Sequence, residues 1–176
     1  MLAKQPQDRP SGMDDVLAQL RAIDAALLRT PSGVSSASLS VLVVEDDPAI
    51  ARLLATVARR KLPDAEVRVV NDGAEAIALI ARRVPDVLLL DLHMPVTNGL
   101  EVCMYLRGVD AHSRCTVVPV SAALGRPEDL DVLFALGVRD FVHKGPSLVG
   151  RIGAILGEVG AAHGALSTRR PPTAAM

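Results

Sequence analysis

The sequence predicts an α/β protein built on a doubly wound, five-stranded parallel sheet. Three observations carry that expectation. From Val41 onward, short aliphatic runs alternate with segments of helical spacing. The runs are apolar at nearly every position, as strands covered on both faces must be. Hydrophobic residues make up 49% of the chain but aromatics only 2%, so the core is Val, Leu, Ile and Ala.

The chain has 176 residues, enough for one domain with a real core and some extra. Residues 1–12 are polar and contain proline. Met13 to Leu28 reads as an amphipathic helix, with Met13, Val16, Leu17, Leu20, Ile23 and Leu27 on one stripe and Ser11 as its cap. A short lone helix is marginal in water, so it should pack on its own domain, a second copy or a partner. Thr30–Ser40, TPSGVSSASLS, has the composition of a linker.

The strand segments follow at Val41–Val44, Val67–Val70, Val87–Leu90, Thr116–Val120 and Phe141–Val142. Helical faces lie between them. The first carries Ile50, Leu53, Leu54 and Val57, and the second Ala74, Ile77, Ala78 and Ala81. Leu100, Cys103 and Leu106 form the third, and Leu130, Leu133 and Phe134 the fourth. In the fifth, Leu148, Ile152, Ile155, Leu156 and Val159 should meet the sheet. Gly150, Gly153, Gly157, Gly160 and Gly164 share another face, expected to point outward as a shallow groove. The resulting division is an extension over 1–40, a domain over 41–160 and a tail over 161–176.

Composition excludes some functions. A formal net charge of −1 provides no global basic field for nucleic acid. No apolar run approaches the roughly 20 residues that span a membrane. The start, MLAKQPQDRP, lacks the apolar core of a secretory signal. Cys103 and Cys115 fit no metal or redox spacing, which suits a reduced, cytoplasmic setting.

The polar residues that end the strands point to the chemistry. In a doubly wound sheet, ligands bind beyond the carboxyl ends of the strands. The first strand runs into Glu45-Asp46-Asp47-Pro48, and VLLLDLHMP ends the third on Asp91. The fourth ends at Ser121, and the fifth leads to His143 and Lys144. Asp47, directly before Pro48, reads as a helix N-cap. Glu45, Asp46 and Asp91 would repel one another unless a cation or a proton intervened. Mg²⁺ prefers such carboxylate oxygens, and Lys144 adds positive charge. His93 and His143 read as solvated loop histidines, Met94-Pro95 as a loop stop and Gly99 as a turn or helix-start glycine.

These residues resemble the receiver domain of two-component response regulators, over about Val41 to Val159. The resemblance rests on VLVVEDDP, LLLDLHMPVTNG, VVPVSA and DFVHK. It implies a flavodoxin-like (βα)5 fold with strand order 2-1-3-4-5. It implies Asp91 as phosphoacceptor. Asp46, Asp91 and the backbone carbonyl of His93 would bind Mg²⁺, with Glu45 acting through water. Ser121 and Lys144 would contact the phosphoryl group, and Phe141 is the switch aromatic. The implied partner is a histidine kinase or phosphotransfer protein, and the responding surface is the fourth helix, fifth strand and fifth helix. That surface or the N-terminal helix would serve a homodimer. The chain departs from the family in placing Gly145 between Lys144 and Pro146.

The leading expectation is therefore a cytoplasmic signalling phosphoacceptor that catalyses only its own phosphorylation and dephosphorylation. It contacts neither nucleic acid nor membrane. It is a stand-alone receiver, because the remaining tail is too short for a DNA-binding domain, or a fragment of a longer regulator. Two alternatives stay open: a phosphatase with Asp91 as nucleophile, and a phosphate-independent interaction domain.

Overall fold

The computed structural model describes residues 38–122, 131, 133–135, 137–138 and 141–167. The expected helix over 13–28 and Leu130 lie outside the described residues. The strands are β1 (Ser40–Val44), β2 (Glu66–Val70), β3 (Val87–Asp91), β4 (Thr116–Ser121) and β5 (Val142–His143). The helices are α1 (Pro48–Lys61), α2 (Gly73–Arg82), α3 (Gly99–Gly108) and α4 (Leu148–Ser167), the last being the fifth helical segment of the sequence. All strands pair in parallel, in the order β2-β1-β3-β4-β5. The doubly wound, flavodoxin-like expectation is met.

Strand periodicity divides the core. Val41, Val43, Val87 and Leu89 face a cluster that α1 closes with Leu54, Val57 and Ala58, and α4 with Ile152 and Leu156. Leu42, Val44, Leu88 and Leu90 face the opposite cluster, closed by Ala76 and Ile80 of α2 and by Val102, Cys103 and Leu106 of α3. β1 and β3 are buried throughout because both faces are covered, while β2, at the sheet edge, is largely exposed.

Capping fixes where each helix starts. Asp47 accepts from the N–H of Ala49 at 2.7 Å and of Ile50 at 3.0 Å, with Pro48 in the first turn, as the sequence predicts. Asp72 caps α2 through the Ala74 N–H. Asn98 and Glu101 form a reciprocal capping box on α3. Gly99 is the first residue of α3, and its reason is steric: a Cβ there would overlap the carbonyl oxygen of Asp91.

Four expectations are corrected. β5 is Val142–His143, not Phe141–Val142, because its register is set by Val120↔Val142 and Ser121↔His143. His143 is therefore a strand residue. In α1, Leu53 is exposed while Ala51, Ala55 and Ala58 are buried, since small side chains let the helix approach the sheet. In α2, Ala74, Ala78 and Ala81 are exposed, and the inward face is set by Ala76, Ile77, Leu79 and Ile80. The bulkier side chains decide the rotation, because burying them removes more apolar surface.

The glycine face of α4 is the fourth. It does not point wholly outward: a Cβ on Gly153 would lie 3.0 Å from Lys61 Cε, and one on Gly160 would lie 2.8 Å from Leu62 Cδ2. The end of α1 occupies that flank, while Gly150, Gly157 and Gly164 have open space beside them. The helix also continues to Ser167, past the boundary at residue 160. Gly157→Ala should raise stability by about 0.5–1 kcal/mol, because alanine lowers the entropy cost of a helix interior. Gly160→Ala should return less, because Leu62 must give way. Urea unfolding of the two variants checks the difference.

Candidate functional site

The odd-numbered register that lines one core cluster continues past the apolar residues into acids. Val41 and Val43 lead to Glu45, and Val87 and Leu89 lead to Asp91. The Glu45 N–H donates to the Val70 carbonyl at 3.1 Å, so the backbone here is still tied to the sheet. Glu45, Asp91 and Ser121 are buried, at 0%, 3% and 1% exposure. Asp46 is exposed. One carboxylate oxygen from each of Glu45, Asp46 and Asp91 lies within 4.8 Å of the others.

Lys144 closes the cluster. Its Nζ donates to Glu45 Oε1 and to Asp91 Oδ2, both at 2.7 Å. Its own N–H donates to the Ser121 carbonyl at 2.7 Å, which carries it from the end of β5 toward β1 and β3. Gly145 does not prevent this reach. A Cβ at Gly145 would lie 2.9 Å from Nδ1 of the exposed His143 ring.

The electrostatics follow from burial. Burial raises the Glu45 carboxyl above its ordinary value, and neighbouring Asp91 adds to the rise, against the opposing pull of Lys144. For Lys144, burial disfavours the charge, but the bonds to Asp91 and Glu45 outweigh it and hold the ammonium above its ordinary value. Glu45 Oε2 is buried without a hydrogen-bond partner. A donor set of three carboxylates with one unsatisfied buried oxygen fits a hard divalent cation, which binds oxygen and reaches such a site through water.

The other oxygen of Asp91, Oδ1, accepts the His93 N–H at 3.0 Å. The phosphoacceptor candidate is thus held by a donor on each oxygen. The imidazole of His93 is not merely solvated, as the sequence suggests: its Nδ1 lies 3.1 Å from Ser121 Oγ. No periodicity could show this pairing, because it joins a loop to a different strand. Phe141 is half-buried, immediately before β5. Beside Glu45 and Asp46, a groove of 640 Å³ opens between α1 and the end of β2, lined by Arg52, Arg59 and Asn71.

Comparison with known proteins matches residues 41–149 to the response regulator receiver domain. The chain is 35% identical over 106 residues to the DNA-binding response regulator MtrA of Mycolicibacterium smegmatis, covering 59% of this chain and 43% of MtrA. It is 38% identical over 122 residues to the sensory transduction protein RegX3 of the same organism, covering 66% of this chain and 50% of RegX3. The chain therefore spans about half the length of these relatives. The Mn²⁺-bound response regulator Rcp1 superposes with a TM-score of 0.60 at 25% identity, covering 66% of this chain and 91% of that one. Among the described residues, no helix is long and apolar enough to cross a membrane.

The ion cluster makes a pH-dependent prediction. With its carboxyl held above its ordinary value, folded Glu45 retains its proton more tightly than the unfolded chain does, so its ionisation costs stability as pH rises from the unfolded value to the folded one. Removing Lys144 takes away the charge that opposes this. Lys144→Met should lose about 3 kcal/mol near pH 7, as expected for a buried pair missing one partner. The deficit should shrink as pH falls and Glu45 takes up a proton. Urea unfolding at several pH values reads both the loss and its slope.

Proposed function

The chain belongs to the response regulator receiver domain family, and we propose that it accepts a phosphoryl group on Asp91 from a histidine kinase or phosphotransfer protein. The observation that supports this most is the position of Asp91. It ends a fully buried strand, is gripped by Lys144 and the His93 amide, and stands beside Glu45 and Asp46. Phosphoryl transfer needs positioning and charge neutralisation more than proton chemistry.

In this reading an Asp91 oxygen attacks phosphorus as the bond to the donor's imidazole nitrogen breaks, and that nitrogen keeps the electron pair. The product is an acyl phosphate. Hydrolysis returns the Asp91 carboxylate and inorganic phosphate, and the chain turns over no other substrate. Asp46, Asp91 and the backbone carbonyl of His93 would hold Mg²⁺, with Glu45 acting through water; the bound ion would neutralise charge on the phosphoryl oxygens. The Mn²⁺-bound form of Rcp1 supports a divalent ion in a similar fold. Lys144 Nζ supplies the fixed positive charge, and the Ser121 hydroxyl donates to a phosphoryl oxygen.

Movement of Ser121 then lets Phe141 change rotamer and alters the outer face around the fourth helical segment, β5 and α4. That face is the proposed surface for a downstream protein or a second copy. We assign the phosphoacceptor module to residues from 41 into α4, with residues 1–40 as an extension. We read the module as cytoplasmic and as acting through protein partners rather than through its own contact with nucleic acid.

Incubation with acetyl phosphate and Mg²⁺ tests the reading by intact mass. The wild-type chain should gain one phosphoryl group, and Asp91→Asn should gain none while remaining folded. Label on the Asn variant at the wild-type rate would remove Asp91 from the role. Multiple turnover on unrelated phosphate esters would instead favour a phosphatase. In Mg²⁺ titrations, Asp46→Ala should weaken binding more than Asp47→Ala, because Asp47 is committed to capping α1. Equal losses would undo that division of labour.

A further inference from the structure

The contact between His93 and Ser121 has no part in the chemistry described so far. Ser121 is buried, at 1% exposure, whereas His93 is exposed. The His93 backbone is itself tied to the aspartate, its N–H donating to Asp91 Oδ1 at 3.0 Å. Nδ1 then sits 3.1 Å from Ser121 Oγ. The groups concerned are the phosphoacceptor and the hydroxyl that would meet the phosphoryl group.

A serine hydroxyl has one proton to donate. If it is given to His93 Nδ1, it cannot be given to a phosphoryl oxygen at the same time. We propose that His93 is a positioning residue that latches Ser121 in the unphosphorylated state. Its neutral ring, protonated on Nε2, accepts the Ser121 proton. The latch rests on the phosphoacceptor reading above and deepens it: every engagement of Ser121 with a phosphoryl group must first break this bond. His93 therefore opposes the switch, and the same backbone that orients Asp91 for attack carries the restraint. The free energy at stake is that of one neutral hydrogen bond, which sets the size of the effect.

The test uses beryllofluoride, a phosphoryl mimic, at fixed Mg²⁺, with affinity read by calorimetry on the full chain. His93→Ala removes the acceptor and leaves the backbone carbonyl and N–H in place. It should tighten beryllofluoride binding about twofold to tenfold. His93→Asn, which restores an acceptor near the Nδ1 position, should bind more nearly as wild type does. In a Ser121→Ala background, His93→Ala should change nothing, because the two groups act as one coupled pair. Without metal or fluoride, ring ¹⁵N shifts should show Nδ1 of His93 unprotonated and should change in Ser121→Ala.

Unchanged or weaker binding by His93→Ala overturns the latch. So does an equal tightening with Ser121 absent, which would mean that the ring acts on the ligand directly. A proton on Nδ1 also overturns it. Failure of the wild-type chain to bind beryllofluoride or take up phosphate would sink the phosphoacceptor reading itself. Wild-type binding with no effect of His93 would sink the latch alone.

Discussion

The structure depends on one constraint: two carboxylates are buried at the ends of adjacent apolar strands, and a single ammonium must serve both. Glu45 has no exposure and Asp91 has 3%. A buried carboxylate without a partner is far too costly for so aliphatic a surrounding. Lys144 Nζ, 2.7 Å from each, is the compensation. That demand reaches into the fold. β5 is only two residues long and has little ladder of its own. Its end is fixed instead by Lys144, whose amide is tied to β4 and whose side chain is tied to β1 and β3. The shortest strand is thus held by charge as well as by hydrogen-bonded pairing. Buried pairs of this kind are weak evidence for net stability, but this one leaves the lysine few alternative positions.

A second layer of constraint is steric and lies in the backbone around Asp91. Gly99 must be glycine because the Asp91 carbonyl occupies the space of its Cβ, and its N–H donates back to the Leu92 carbonyl at 3.3 Å. Gly73 is pressed in the same way, with the Thr97 carbonyl 2.5 Å from where its Cβ would be. The loop between β3 and α3 is therefore clamped by α2 on one side and by its own strand on the other. Val96, at the exposed tip, has φ of 70°, a left-handed conformation that a β-branched residue rarely adopts. The strain sits at 95% exposure, where no packing relieves it. It is tolerated because the loop's ends are fixed by these close approaches.

How much of this was legible in the sequence depends on whether the signal was local. β1 and β3 were legible because strands covered on both faces are apolar at every position. Asp47 was legible as a cap because Pro48 follows it. The acids, Ser121 and Lys144 were legible because each ends its own strand, and a parallel sheet brings those ends to one edge. The rotation of α2 was not, since its alanines are compatible with either face until Ile77, Leu79 and Ile80 are seen to choose. The glycines of α4 were misread for a related reason. Hydropathy gives a residue without a side chain no direction, and only the approach of Lys61 and Leu62 shows which flank is covered. The His93–Ser121 contact is a meeting in space across 28 residues, which no spacing rule encodes.

The arrangement of donors around Asp91 holds it rigidly without neutralising the acids beside it. Each carboxylate oxygen already has a donor, the His93 amide on one and Lys144 on the other. These donors orient the group. They do not neutralise the cluster, because three acids face one lysine. The remaining excess is concentrated where Glu45 Oε2 lacks a donor and where Asp46 meets solvent. A divalent cation would be held by the acids of this cluster, where Glu45 Oε2 has no hydrogen-bond donor. Rigidity comes from donors already bonded to Asp91, and the demand for further positive charge comes from the acids beside it. Positioning of Asp91 and demand for positive charge thus fall to different residues.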